Sequence, residues 1–294
     1  CAHDAGAANH LTQVYKRNFT NTKLCLAGPA YDIFNKAFNN INNHNIESSL
    51  LNSKCLISGT GWQSNLEYQS RKIAAQKGIY NIALLDHWVN YKDRFEREGD
   101  TVLPNEIWVT DGEALKIARN NFKSIPIIEI PNFALEEIIK KVKIGKSRYQ
   151  NNFKNALPKR LLYLTEPIRN NWNEEELGEF QGLKYFFANL EKLSKNCFIS
   201  PINEIEKIVI KLHPSEKLDK YDKTIKSLKT NIPISTIKIN PLHESFVWSE
   251  ATFGCETQAL AISLACQIPT FCSIPPWGNK CRLPHNDIIH IKDI

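Results

Sequence analysis

Lys207-Ile208-Val209-Ile210-Lys211-Leu212-His213-Pro214-Ser215 is the stretch that decides how this chain is read. β-Branched residues suit a pleated, buried strand, and Pro214 lacks the N–H needed to continue a ladder. The segment therefore reads as a buried strand that stops just after a histidine. About forty residues later Gly254-Cys255-Glu256-Thr257-Gln258-Ala259-Leu260 ends another apolar run and opens a helix with small, acidic and hydroxyl residues.

Working outward, the first half alternates strand-like segments at 1–2, 23–27, 54–58, 79–85, 106–110 and 126–130 with helical stretches at 65–77 and 112–120. The second half repeats the scheme, with strands at 161–164, 207–212, 236–239 and 269–272 and helices at 174–195, 217–229 and 256–266. Strands separated by helices of this length imply parallel sheets with right-handed crossovers. The lysine-rich interval 140–159 has the composition of a linker, which sets the expected domains at 1–157 and 158–294. The expected fold class is α/β: two Rossmann-like domains facing a cleft, an arrangement of GT-B type.

With 294 residues, 42% of them hydrophobic and 23% charged, the chain has the composition of a soluble globular protein. No apolar run reaches the eighteen or so residues of a membrane span. The net charge of +6 is spread out, with 19 basic and 15 acidic residues in 1–150 and 18 and 16 beyond. Without a basic arm or tail, nucleic acid is not an expected partner, and a mild positive field suits an anionic small molecule or membrane surface. The eight cysteines show no C-x-x-C spacing, so neither a metal site nor a disulfide framework is expected, and reduced thiols place the protein in the cytoplasm.

His213 falls at the carboxyl end of a parallel strand, the edge at which open α/β sheets bind ligands. An imidazole there can donate to a phosphate oxygen or protonate a departing phosphate, with Lys211, Pro214 and Ser215 around it. A histidine that only caps its strand end is the competing reading. At the later helix start, Gly254 allows close backbone approach, Thr257 offers a hydroxyl, and the helix dipole favours a phosphate. Glu256 suits a sugar hydroxyl or a base amine better than a phosphate, Gln258 is a further donor-binding candidate, and an acidic turn that merely stabilises its own helix would also explain Glu256 and Thr257. Thr165 and Glu166 end the first strand of the second half, and Ser273 ends the last; each faces the donor side or belongs to a rigid turn.

In the first half, Ala2-His3-Asp4-Ala5-Gly6-Ala7-Ala8-Asn9 joins an apparent strand to a helix without the G-x-G-x-x-G dinucleotide fingerprint. His3, Asp4 and Gly6 are candidates for substrate contact and Asp4 for catalysis. Ser58-Gly59-Thr60-Gly61-Trp62 and Leu84-Leu85-Asp86-His87-Trp88 put Thr60, Trp62, His87 and Trp88 at further strand ends. Asp86 follows an apolar run, so its carboxylate could take a hydroxyl proton beside an aromatic platform for a sugar ring; capping the next helix is its other reading.

The Lys-Leu-His-Pro-Ser segment, the Gly-Cys-Glu-Thr-Gln helix start and the two-half layout resemble bacterial GT-B glycosyltransferases that use CMP-activated nonulosonic acids, the sialyltransferase-like group. The resemblance implies that His213-Pro214 contacts the CMP phosphate, that Thr257 assists it, and that a carboxylate of the N-terminal domain activates the acceptor. The group's Asp/Glu-Asp/Glu-Gly motif is preserved only in part, at Asp111-Gly112, which leaves Asp86 as the preferred base and Asp4 as the reserve. The implied activity is an inverting, metal-independent transfer of a sialic, legionaminic, pseudaminic or Kdo-like sugar from a CMP donor to a surface-glycan hydroxyl, with no cofactor. A UDP-N-acetylhexosamine 2-epimerase, a transferase of CDP-linked polyol phosphates and a non-catalytic binder of nucleotide sugars or polysaccharide share the expected scaffold. The partners are then a nucleotide sugar and a glycan acceptor. Peripheral attachment to the inner membrane is compatible with lipid-linked acceptors, though no amphipathic basic helix marks it, and the sequence sets no oligomeric state.

Overall fold

The computed structural model describes residues 1–18, 21–61, 64–149, 156–168, 170–172 and 174–294. The chain divides into two compact units, Cys1–Glu136 and Glu137–Ile294.

Unit 1 runs α1 (Ala5–Asn18), α2 (Gly28–Phe38), α3 (Ile46–Leu50), β1 (Cys55–Ser58), α4 (Leu66–Gln76) and β2 (Tyr80–Leu84). It continues with a short antiparallel ribbon, β3 (Glu96–Arg97) and β4 (Asp100–Thr101), then β5 (Glu106–Val109), α5 (Gly112–Asn121) and β6 (Ile127–Glu129). The strands β1-β2-β5-β6 form a parallel sheet in that order. Cys1 and Ala2 extend it beside β1: the Cys1 amino group donates to the Ile57 carbonyl at 2.8 Å, and Ala2 bridges Leu26 in parallel. Segment 23–27, read as a strand, contributes only these isolated bridges at Leu24 and Leu26, because Asn43 completes its pairing with side-chain hydrogen bonds to Leu26.

Helix α6 (Phe133–Tyr149) crosses the division between the units. The interval 140–159, linker-like in composition, is thus helical as far as Tyr149. Its lysines alternate with Ile138 and Val142, which pack into the core of unit 2.

Unit 2 consists of β7 (Arg160–Leu164), α7 (Gly178–Ala188), α8 (Leu190–Lys195), β8 (Lys207–Lys211), α9 (Asp222–Ser227), β9 (Ile234–Ile237), α10 (Leu242–Trp248), β10 (Ala251–Gly254), α11 (Gln258–Ala265), β11 (Thr270–Cys272) and β12 (Ile289–His290). All six strands are parallel, in the order β12-β11-β10-β7-β8-β9. Alternation along the strands feeds two cores. Leu161, Tyr163, Ile208, Ile210, Ala251, Phe253 and Phe271 face one side, where Phe253 stacks on Phe271 at 4.8 Å. Leu162, Leu164, Val209 and Cys272 face the other. A sheet covered on both faces leaves its strand ends as the place where polar side chains can meet a ligand. The helix expected over 174–195 starts at Gly178 and breaks at Asn189 into α7 and α8, and the one expected over 217–229 contracts to α9. Among the described residues, no helix is long and apolar enough to cross a membrane.

Candidate functional site

At the carboxyl edge of unit 2, the histidine after β8 is held in a tight turn. Pro214 fixes its φ, and the Glu216 N–H closes the turn on the His213 carbonyl at 2.9 Å. Inside the turn the Ser215 N–H donates to His213 Nδ1 at 3.2 Å, and the Ser215 hydroxyl lies 2.8 Å from the same nitrogen. A ring nitrogen that accepts an N–H carries a lone pair, so the proton of the neutral imidazole sits on Nε2. Among the described residues, no hydrogen bond falls on Nε2. Burial pushes the His213 imidazole below its ordinary value; Glu216 opposes this and Lys220 and Lys238 add to it, so the ring is neutral at pH 7. Beside the later residues of the turn lies a cavity of about 290 Å³, lined by Pro167, Ser215, Glu216, Lys217, Asp219 and Lys220; His213 is not part of its lining.

Two consecutive residues at the end of β7 tie this turn to the start of α11. Thr165 Oγ1 accepts the His213 N–H at 3.0 Å, and the Glu166 carboxyl accepts the Glu256 N–H at 2.6 Å. The order β10-β7-β8 makes this possible, because β7 lies between the strands that lead to each. Thr257 caps α11, its hydroxyl oxygen accepting the Ala259 N–H at 3.4 Å. Glu256 receives the Arg282 N–H at 3.0 Å and two guanidinium bonds, at 3.0 and 2.6 Å. Burial pushes the Glu166 carboxyl up to about 8; the Glu256 charge adds to this, while the backbone bond and Arg282 oppose it. The helix start read as a phosphate cradle thus carries two carboxyl groups of the protein itself.

Three residues named from sequence serve the scaffold at this edge. Lys211 is buried and its ammonium bonds the Asn240 carbonyl. Ser273 is buried, 3.0 Å from the Tyr163 hydroxyl. A Cβ at Gly254 would approach the Leu164 carbonyl oxygen to 2.7 Å, so glycine lets β10 lie against β7. Gln258 opens α11 and is partly exposed.

In unit 1 the corresponding edge gathers His3, Asp4, Gly6 and Asp86. The His3 N–H donates to Glu67 Oε1 at 2.7 Å, and His3 Nδ1 lies 2.7 Å from Asp4 Oδ1. Asp86 turns inward: it lies 3.6 Å from Arg94, its side chain is 13% exposed against 26% for Asp4, and a Cβ at Gly6 would land on its Oδ2. Burial pushes buried His10 below its ordinary value, with Asp86 and Asp111 pulling the other way. Trp88 packs against the core of this unit and donates to both Asp111 oxygens, at 3.1 and 3.0 Å. His87 accepts the Trp88 N–H at 2.9 Å, and Thr60 is buried with its hydroxyl on the Leu84 carbonyl at 2.9 Å. Trp62 lies outside the described residues. A larger cavity, about 760 Å³ and lined mainly by apolar residues such as Leu11, Tyr15, Leu24 and Leu56, touches none of these strand-end polar groups.

Sequence reasoning missed Glu216, Lys220, Tyr221, Arg94 and Arg282. Only Glu216 had a local signal: an acid three residues after the turn-opening histidine can reach back to that residue's N–H, as in a capping box.

No protein-family model and no curated protein matches the chain. Among solved structures, it is similar to the UDP-GlcNAc 2-epimerase from Neisseria meningitidis bound to UDP-GlcNAc, with a TM-score of 0.54 and 12% identity over 88% of this chain and 77% of that one. At that identity the likeness is one of fold, and it agrees with two Rossmann-like α/β units.

Proposed function

We propose that the protein is a nucleotide-sugar enzyme whose donor phosphate is bound at the unit 2 edge by the Nε2–H of His213. The observation that carries this reading is the His213 imidazole, held by its own turn through Nδ1 at the carboxyl end of β8 and joined through Thr165 and Glu166 to the start of α11. Its more specific form is an inverting transferase of a CMP-linked nonulosonic acid. An acceptor hydroxyl oxygen attacks the anomeric carbon, the carbon–oxygen bond to CMP breaks, and CMP leaves with its charge eased by His213. A carboxylate acting as general base takes the acceptor proton. Of the two carboxylates named for a base, Asp4 suits the task better than Asp86, because its side chain is more exposed and Asp86 is packed against Gly6.

Calorimetric titration with CMP, CDP and UMP, alongside turnover of CMP-sugars with a glycan acceptor, tests this. CMP should bind, His213→Ala should weaken it about tenfold, the loss of one charge-assisted hydrogen bond, and a chelator should leave turnover unchanged. Absence of any nucleotide binding would sink the reading.

The fold likeness favours one second reading, epimerisation of a UDP-N-acetylhexosamine. Conversion of UDP-GlcNAc in the absence of any acceptor would select it.

A further inference from the structure

We propose that Glu216 is the positioning residue of this site: its carboxylate locks the His213 turn so that the imidazole keeps Nδ1 inward and presents Nε2–H to an anionic oxygen. The proposal rests on the reading of His213 as a phosphate donor, but its first test does not.

The Glu216 carboxylate has a relative exposure of 4% as a residue and receives four donors. These are the His213 N–H at 3.0 Å, the Tyr221 hydroxyl at 2.8 Å, the Lys220 ammonium at 2.6 Å and the Thr165 hydroxyl. Its own N–H returns to the His213 carbonyl, so residues 213 and 216 are joined in both directions. A charge so withdrawn from water is costly unless paired, and Lys220 pairs it. Lys220 also bonds Glu179 at 2.7 Å, and Glu179 receives the Ile168 N–H at 3.1 Å, which fastens the loop after β7 to the same cluster. Lys238 donates to the Glu216 carbonyl at 2.5 Å. Glu216, Lys220 and Lys238 are the charged groups that act on His213.

This network exceeds what a turn needs, since proline and the backbone bond already close it. What the carboxylate adds is a fixed direction for the His213 N–H and hence for the Cα–Cβ bond that aims the ring. With the ring so aimed, the Ser215 N–H meets Nδ1 and the tautomer follows. The site therefore reads its anion with a hydrogen-bond donor held in a fixed direction.

Nitrogen-15 NMR of the His213 imidazole, without ligand and across pH 5 to 8, tests the claim. In the wild type the ring should be the Nε2–H tautomer at pH 7 and titrate below the ordinary histidine range. Glu216→Ala should give a mixture of tautomers and lower CMP affinity about tenfold. Glu216→Gln, which still accepts the His213 N–H, should preserve the tautomer and most of the affinity. Tyr221→Phe, a milder change that keeps the carboxylate, should also leave the tautomer intact and covers the case in which Glu216→Ala does not fold. An unchanged tautomer in folded Glu216→Ala, loss of the tautomer in Glu216→Gln or Tyr221→Phe, or an Nδ1–H wild-type ring would overturn the proposal. If the tautomer responds as stated while no nucleotide binds, the positioning role stands and the functional reading fails.

Discussion

Asp86 and His213 occupy equivalent places, each just beyond the end of a buried parallel strand, yet their side chains do opposite things. Asp86 meets an incoming helix whose second residue is Gly6, and its carboxylate fills the space that a methyl group would take, beside Arg94. His213 meets a proline, and the turn that follows engages one ring nitrogen, while no hydrogen bond among the described residues falls on the other. A strand end offers a location only; the next few residues decide whether a polar side chain becomes part of the scaffold or a tool.

The sharpest way to break this contrast is at Gly6. Gly6→Ala should destabilise unit 1 by ~3 kcal/mol in urea unfolding, the scale of an overpacked core, and Asp86→Ala should cost about as much by leaving Arg94 without its carboxylate. Combined, the two should cost less than their sum, because removing the carboxylate makes room for the methyl group; simple additivity would show that Asp86 is not packed on that helix.

A pH series probes unit 2. The Glu166 carboxyl, raised to about 8, keeps its proton in the folded state while the unfolded chain loses it above about 4.5. The folded state therefore binds more protons between these values, and stability falls as pH rises from 4.5 to 8. Glu166→Gln should flatten that portion of the unfolding curve and leave the rest unchanged. At the helix it touches, Thr257→Ala should cost ~1 kcal/mol, the worth of an N-cap. The smallest effect is expected for His213→Ala, under ~0.5 kcal/mol in unfolding, because Glu216 and Thr165 hold the backbone of that turn rather than its ring. A loss as large as that of Asp86→Ala would erase the distinction between tool and scaffold.

The architecture was legible because Ile208, Val209 and Ile210 and their counterparts in other strands carry the signal locally, in β-branched runs of the right length. Helix α6 was not, since counting lysines over 140–159 hides the spacing of Ile138 and Val142 on its inner side. At the site, His213 could be picked out by the proline beside it. Its supporting cluster could be only in part: Glu216 carried a local signal, but Thr165 and Glu179 come from other segments that the fold brings to the His213 turn. Ser273 and Lys211 looked like ligand contacts because strand ends and polarity were the only criteria, and which way a side chain leaves its strand depends on neighbours distant in the chain.

Because Leu161 and Tyr163 belong to one hydrophobic layer and Leu162 and Leu164 to the other, β7 behaves like a key with teeth on both edges. A slip by one residue would force every tooth into the wrong ward at once. The depth to which Thr165 reaches past the sheet, and with it the height at which the turn is hung, is therefore gauged by hydrocarbon that no ligand ever meets.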